Sequence, residues 1–172
     1  MKRTAVIGAG SWGTALAIIA ARKGHEVRLW SRNSEVVQGI NRGHFNPRYL
    51  REAQIPASVE ACADLGRTLD AAELVILAAP SHATRELLAK MQPALRKEKI
   101  IVSATKGIEI DTGKRISQVV AEVLPPETAA PFVCLSGPSF AHEVAANHPT
   151  AVVAASDDRE AAITVQSYFR NQ

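Results

Sequence analysis

A chain of 172 residues, 47% hydrophobic and 22% charged, is long enough to bury one sizeable core, so a single domain is expected. A net charge of +3 with scattered basic residues leaves no footprint for nucleic acid or a membrane surface, although a modest positive bias suits small anionic ligands. No apolar run reaches spanning length, and the two cysteines, Cys62 and Cys134, lack metal-ligand spacing and read as reduced, mostly structural thiols of a cytoplasmic protein.

The chain opens on an apolar strand, residues 4–7, that runs into Gly8-Ala9-Gly10-Ser11-Trp12-Gly13 and then a helical stretch over residues 14–22. In that context the glycines have separate duties. Gly8 makes the tight turn, Gly10 lets a pyrophosphate approach the backbone, and Gly13 lets the helix pack closely on the strand. The free amides at the helix start then face an anion. Glycine-rich turns also occur as plain structural loops; the strand before and the helix after are what point to a dinucleotide. Residues 1–21 have the order of a secretory signal, with Lys2 and Arg3 ahead of an apolar run ending in small residues, but three glycines and Trp12 inside the run argue against it.

Further along, Gly24 closes the first helix in a left-handed cap and residues 27–30 form the second strand. Ser34 caps a helix through Ile40, and residues 43–56 form a loop with Asn46-Pro47 as its turn signal. Residues 58–69 have helical spacing, residues 74–79 are a continuous apolar strand, and Ser81 caps a helix to Met91. A strand at 100–104, a helix at 113–124, a strand at 132–135 and a short helix at 140–146 follow. Residues 150–154 and 158–169 repeat the strand–helix pattern once more. Repeated βα units with right-handed crossovers predict an α/β fold, a doubly wound, mostly parallel sheet of the Rossmann type.

In such a sheet, ligands gather outside the carboxyl ends of the strands, so the segments after each strand carry the chemistry. After the second strand stands Ser31-Arg32-Asn33, with no acid to bond a ribose 2′-hydroxyl, which favours NADPH; Glu35 keeps NADH in play, and Arg32 can also be an ordinary solvated arginine. Lys106, between an apolar strand and Gly107, is presented at the crevice rim, where it pairs with a phosphate or polarises a carbonyl, or is simply solvated. Ser136-Gly137-Pro138-Ser139 offers amides and hydroxyls ahead of a helix, as an oxyanion contact, as a turn with an N-cap, or as both. His82 is a polar ligand contact, a cap or a solvated side chain. His142-Glu143 has no partner at metal spacing, so no metal is expected. Asp157-Asp158 reads as a charge pair at a helix start.

Taken together, Gly8 through Ala17, Leu29-Trp30-Ser31-Arg32, Ala79-Pro80-Ser81, Lys106-Gly107-Ile108-Glu109 and Leu135 through Ala141 resemble the bacterial NAD(P)-dependent glycerol-3-phosphate dehydrogenases over essentially the whole chain. The lysine and serine-glycine-proline-serine pieces are more specific than the glycine fingerprint. The resemblance implies an oxidoreductase that interconverts dihydroxyacetone phosphate and sn-glycerol 3-phosphate by hydride transfer in glycerophospholipid synthesis. Matched position by position, it implies cofactor contacts at Ser11, Trp12, Arg32, Asn33, Tyr49, Lys106 and Ala141, alongside the glycines Gly8, Gly10 and Gly13. It implies substrate contacts at Lys106, Gly137 and Ser139, with Lys106 the catalytic candidate within the chain. The loop from Asn46 to Pro56 departs from the family's tyrosine-leucine-proline-glycine wording, with Arg51-Glu52 after Leu50, which bears on Tyr49.

The family continues into a helical substrate domain that carries the principal acid/base lysine and most phosphate ligands, whereas this chain stops at Gln172. Residues 1–172 are therefore expected to be the dinucleotide-binding domain, able to bind NADPH or NADH but inactive alone, and the longer protein is expected to be a homodimer acting on a phosphorylated small molecule. Two other readings stay open: the cofactor domain of a β-hydroxyacid or 6-phosphogluconate type dehydrogenase, and a stand-alone dinucleotide sensor.

Overall fold

The computed structural model describes residues 2–96, 98–125 and 130–170; Met1, where the signal-like order starts, and residues 171–172, where the chain stops, lie outside them. Among the described residues the elements run β1 Arg3–Ile7, α1 Ser11–Arg22, β2 Glu26–Trp30, α2 Ser34–Gly43, β3 Val59–Cys62, α3 Leu65–Leu69, β4 Leu74–Leu77 and α4 Ser81–Met91. A single 3₁₀ turn, Gln92–Ala94, leads to β5 Ile100–Ser103, α5 Ile116–Val123, β6 Phe132–Ser136, α6 Ala141–Ala145, β7 Val153–Ala155 and α7 Arg159–Phe169. The strands form one sheet in the order β3-β2-β1-β4-β5-β6-β7, in which every neighbouring pair is parallel except β6 with β7.

Alternating side chains send each strand's apolar residues to both faces, which is why the central strands are apolar throughout. Val6, Leu29, Ile76, Val102 and Val133 face one core, closed by Leu16 and Ile18 of α1, Val36 and Ile40 of α2, and Val165 of α7. Ala5, Ile7, Val75, Leu77 and Ile101 face the other, closed by Leu69 of α3, Leu88 and Met91 of α4, and Val119 of α5. Each fully buried leucine or isoleucine here contributes about 1.5–3 kcal/mol. The strand β6, next to the edge strand β7, breaks the pattern: Val133 and Leu135 are buried while Cys134 and Ser136 are exposed, so one of its faces is open.

Four local expectations are corrected. The segment at 58–69 is not one helix but β3 followed by α3. Val59–Cys62 adds to the outer edge of β2 with Val27 opposite Val59. The outward backbone of β3 is satisfied by the Asn41 amide, which donates to the Ala61 carbonyl at 2.9 Å and accepts from the Ala61 amide at 2.7 Å. The Asp64 carboxylate then accepts from the Arg67 amide and starts α3. At α2 the cap is Asn33, whose Oδ1 accepts from the Val36 amide at 3.2 Å, so Ser34 is the first helical residue. Likewise Ser81 lies inside α4 after a Pro80 cap.

The last strand, β7, is antiparallel rather than another βα repeat. A parallel strand would have to start at the opposite end of the sheet, but β7 starts with Val153 opposite Ser136, at the carboxyl end of β6. A Cβ on Gly137 would lie 2.5 Å from the Ala151 carbonyl, so the two segments run in backbone contact and β7 must descend beside β6.

The helix α7 is tied to the amino end of β1 by Tyr168, whose hydroxyl lies 2.6 Å from Thr4 Oγ1 and whose ring stacks on His25 at 4.2 Å. Burial, and after it nearby positive charges including Lys23 and Lys2, pull the His25 imidazole below its ordinary 6.5, with Glu73 opposing. Its Nδ1 accepts from the Lys2 amide at 3.1 Å, so the neutral ring is the one the fold uses. Since the unfolded chain takes its proton first, the stabilisation is present above pH 6.5 and is lost as pH falls toward the lowered value. Thermal unfolding on both sides of that pH is expected to show acid destabilisation that shrinks in His25→Phe; an unchanged pH dependence in the variant would exclude His25 as its source.

Candidate functional site

The strand order reverses between β1 and β4, and the carboxyl ends of β1, β2, β4, β5 and β6 lie on one edge. At the reversal, Gly8 turns the chain at φ +116° while its amide donates to the Trp30 carbonyl at 3.2 Å. Gly13 stacks directly on that turn: a Cβ there would lie 1.8 Å from the Gly8 carbonyl oxygen. Gly10 differs, because a Cβ on it would meet nothing within 4 Å. Among the described residues nothing requires a glycine at that point, and the place of its missing side chain is open space.

Thr14 is the first residue of α1 whose amide reaches back along the helix, to the Gly10 carbonyl at 2.9 Å. The amides of Ser11, Trp12 and Gly13 therefore have no carbonyl of their own helix. The helix also has no side-chain cap and no acid in its first turn, whereas α2 and α7 begin with Asn33 and Asp158 caps and carry Glu35 and Glu160 in theirs. Among the described residues no side chain caps its positive end, an arrangement that suits an anion.

Beside this helix start, three predicted residues from distant parts of the chain converge. Trp12 donates from Nε1 to the Ala104 carbonyl at 3.0 Å, which fastens α1 to the end of β5. The Lys106 ammonium stands 5.1 Å from the centroid of the Trp12 ring and donates to Ser139, at 3.3 Å to the carbonyl and 3.4 Å to Oγ. Ser139 Oγ donates in turn to the Gly137 carbonyl at 3.3 Å. Trp12, Lys106 and Ser139 line a cleft of about 250 Å³ whose other walls include Thr105, Gly107, Ser136 and Val152. The open face of β6 forms one side, where Cys134 lines the cleft as a free thiol.

The other predicted residues are spread along the same edge outside that cleft. Arg32 is exposed after β2, takes no hydrogen bond or ion pair among the described residues, and its charge reaches Glu86 on α4. Asn33 spends its carbonyl oxygen on the α2 cap. Gly137 has a packing duty against Ala151, and Ala141 opens α6, half buried against the core. Tyr49 is 44% exposed on the loop after α2. His82 lies in the first turn of α4, and among the described residues no group of three or more His, Cys, Asp or Glu is placed to hold a metal ion.

One residue escaped the sequence reading except as a turn signal. Asn46 is wholly buried, and its Nδ2 donates to the Ala9 carbonyl at 3.0 Å and to Thr14 Oγ1 at 2.9 Å. Its Oδ1 accepts from the amides of Arg48 and Tyr49 at 3.2 and 3.1 Å. A single side chain thus joins the glycine turn to the loop bearing Tyr49. An Asn-Pro pair reports only on local chain direction, and nothing in its spacing reveals that it reaches Ala9.

Comparison with known proteins gives consistent matches. The family model described as the NAD-dependent glycerol-3-phosphate dehydrogenase N-terminus matches residues 3–162. A glycerol-3-phosphate dehydrogenase [NAD(P)+] of Lysinibacillus sphaericus is 44% identical over 172 residues, which is 100% of this chain and 51% of the relative. The one from Koribacter versatilis is 48% identical over 170 residues, 98% of this chain and 50% of the relative. The crystal structure of a glycerol-3-phosphate dehydrogenase from Coxiella burnetii superposes with a TM-score of 0.91 at 37% identity, covering 99% of this chain and 51% of that one. The chain spans about half the length of the curated relatives it matches.

Proposed function

The chain belongs to the family of NAD-dependent glycerol-3-phosphate dehydrogenase N-terminal domains, and from that premise we propose that it is the cofactor-binding half of an enzyme that interconverts dihydroxyacetone phosphate and sn-glycerol 3-phosphate. The observation that carries this reading is the meeting of Trp12, Lys106 and Ser139 next to an uncapped helix start. The residues suit a dinucleotide: open amides for the pyrophosphate, an unfilled space at Gly10, and, at the end of β2, an exposed arginine with no ion pair among the described residues. A bound reduced nicotinamide supplies the hydride.

The chain's own residues do the rest of what this half can do. The amides of Ser11, Trp12 and Gly13 hold negative charge at the start of α1. The Lys106 ammonium, already steered by Trp12 and Ser139, offers a positive charge where a carbonyl oxygen gains negative charge during reduction. Delivery of the proton and capture of the substrate phosphate fall to a helical domain following residues 1–172 in the longer protein, which we propose is a cytoplasmic homodimer feeding glycerophospholipid synthesis. Two free cysteines suit a reducing compartment, and no helix of the described residues is long and apolar enough to cross a membrane.

Titration of the chain with NADPH and NADH, followed by fluorescence, tests the binding. Arg32→Asp is expected to weaken NADPH by roughly 1.5 to 3 kcal/mol while sparing NADH, the scale of a charge-assisted bond. Equal losses for both cofactors would remove Arg32 from the 2′-phosphate. Reduction of dihydroxyacetone phosphate by the longer protein tests the reaction; dinucleotide binding without turnover there would favour a sensor instead.

A further inference from the structure

Three residues past Lys106, Glu109 is only 5% exposed, and a carboxylate so placed is costly unless it is paired. Arg85 of α4 pairs with it through two parallel bonds, Nε to Oε1 and Nη2 to Oε2, both 2.8 Å. The Thr112 hydroxyl donates to Oε2 at 2.5 Å, and the same Arg85 Nη2 reaches Glu122 of α5 at 2.9 Å. With the Arg85 guanidinium and the Thr112 hydroxyl against it, the Glu109 carboxyl is held at about 2, well below the ordinary carboxylate range.

The segment that this network holds is fixed by polar contacts: the Glu109 backbone also bonds Gly113 and Lys114, both at 2.9 Å, and the Lys114 ammonium pairs with Glu122. Among the described residues, though, only the Arg85 and Thr112 bonds reach the Glu109 carboxylate. Between β5 and α5 it forms neither helix nor strand. Gly107 and Gly113 sit at φ +87° and +68°, and Ile108 and Ile110 are 50% and 75% exposed. Burial of apolar surface therefore does not fix it. Its near end is fastened where the Ala104 amide bonds the Leu77 carbonyl at 2.9 Å and Trp12 bonds the Ala104 carbonyl. Its far end is fastened at Glu109, and Lys106 stands between the two.

We propose that Arg85 is a positioning residue: through its paired bonds to Glu109 it sets where the Lys106 ammonium stands between Trp12 and Ser139. This rests on the reading of Lys106 as a cofactor and substrate contact. Among the described residues Arg85 makes no hydrogen bond or ion pair to Lys106, and it does not line the cleft, so it acts through the backbone from 106 to 109. The geometry demands an arginine, because a lysine cannot make both parallel bonds.

A double-mutant cycle on the 172-residue chain tests it, with NADPH dissociation constants for the wild type, Arg85→Met, Lys106→Met and the pair. Arg85→Met is expected to weaken NADPH about tenfold in the wild type and almost not at all once Lys106 is gone. Trp12 emission, read in a Trp30→Phe background without ligand, is expected to shift alike in Arg85→Met and Lys106→Met. Should Arg85→Met fail to fold, Glu109→Gln replaces it, keeping the side-chain volume while removing the charge. The same fold-loss in both Lys106 backgrounds overturns the positioning role. Failure of the wild type to bind NADPH or NADH instead overturns the reading of the site, and the proposal with it.

Discussion

Gly13→Val is expected to abolish dinucleotide binding and to destabilise the domain by roughly 3 kcal/mol or more, at the top of the usual range for overpacking, because its first side-chain carbon would lie 1.8 Å from the Gly8 carbonyl oxygen. That neighbour is backbone and cannot rotate aside, so either α1 lifts from β1 or the Gly8 turn opens. Either movement displaces the open amides at the start of α1. Gly10→Ala is the informative partner. Its backbone, at φ −72°, accepts alanine, and the new carbon meets nothing within 4 Å. The fold is expected to survive with its unfolding midpoint nearly unchanged, while NADPH affinity falls because the methyl group occupies the ligand's approach. Denaturant unfolding and cofactor titration of the two variants separate the roles. A Gly13→Val protein of wild-type stability would refute the tight contact of helix on turn, and a Gly10→Ala protein of wild-type affinity would refute the approach of a pyrophosphate there.

Asn46→Leu is expected to cost about 2 to 4 kcal/mol, since it strips partners from the Ala9 carbonyl and from the Arg48 and Tyr49 amides in a wholly buried position. The Thr14 hydroxyl oxygen loses the bond that Nδ2 donates to it as well. Asn46→Asp divides the network. The carboxylate still accepts from the two loop amides, but it places an oxygen against the Ala9 carbonyl where Nδ2 now donates. The glycine turn should suffer and the loop should not. Chemical denaturation is expected to place Asn46→Asp no higher in stability than the wild type, with NADPH affinity lowered in both variants. If Asn46→Leu binds NADPH as the wild type does, the glycine turn does not depend on this side chain.

Much of the architecture was legible because parallel sheets leave strong local marks. The apolar runs of β1, β4 and β5 are buried on both faces, and the turn from Gly8 to Gly13 sits between a strand and a helix as its spacing requires. Legibility failed where partners outside the segment decide. Residues 59–62 are apolar at intervals that also suit a helix; the free edge of β2 and the Asn41 amide make them a strand. The reversal of β7 depends on the close contact of Gly137 with Ala151, which no local pattern announces.

The amino-acid sequence by itself determined the α/β class, the glycine turn, and the line of polar segments at the carboxyl ends of the strands, because backbone conformation and hydrophobic periodicity are properties of short stretches. Only the tertiary structure decided that Trp12, Lys106 and Ser139 share one cleft, that Asn46 props the glycine turn, and that Arg85 reaches the segment behind Lys106. Those contacts join residues far apart in the chain. They exist because the strands stack in an order that is not the order of the sequence, and polar side chains buried by that stacking had to find partners wherever the fold brought them.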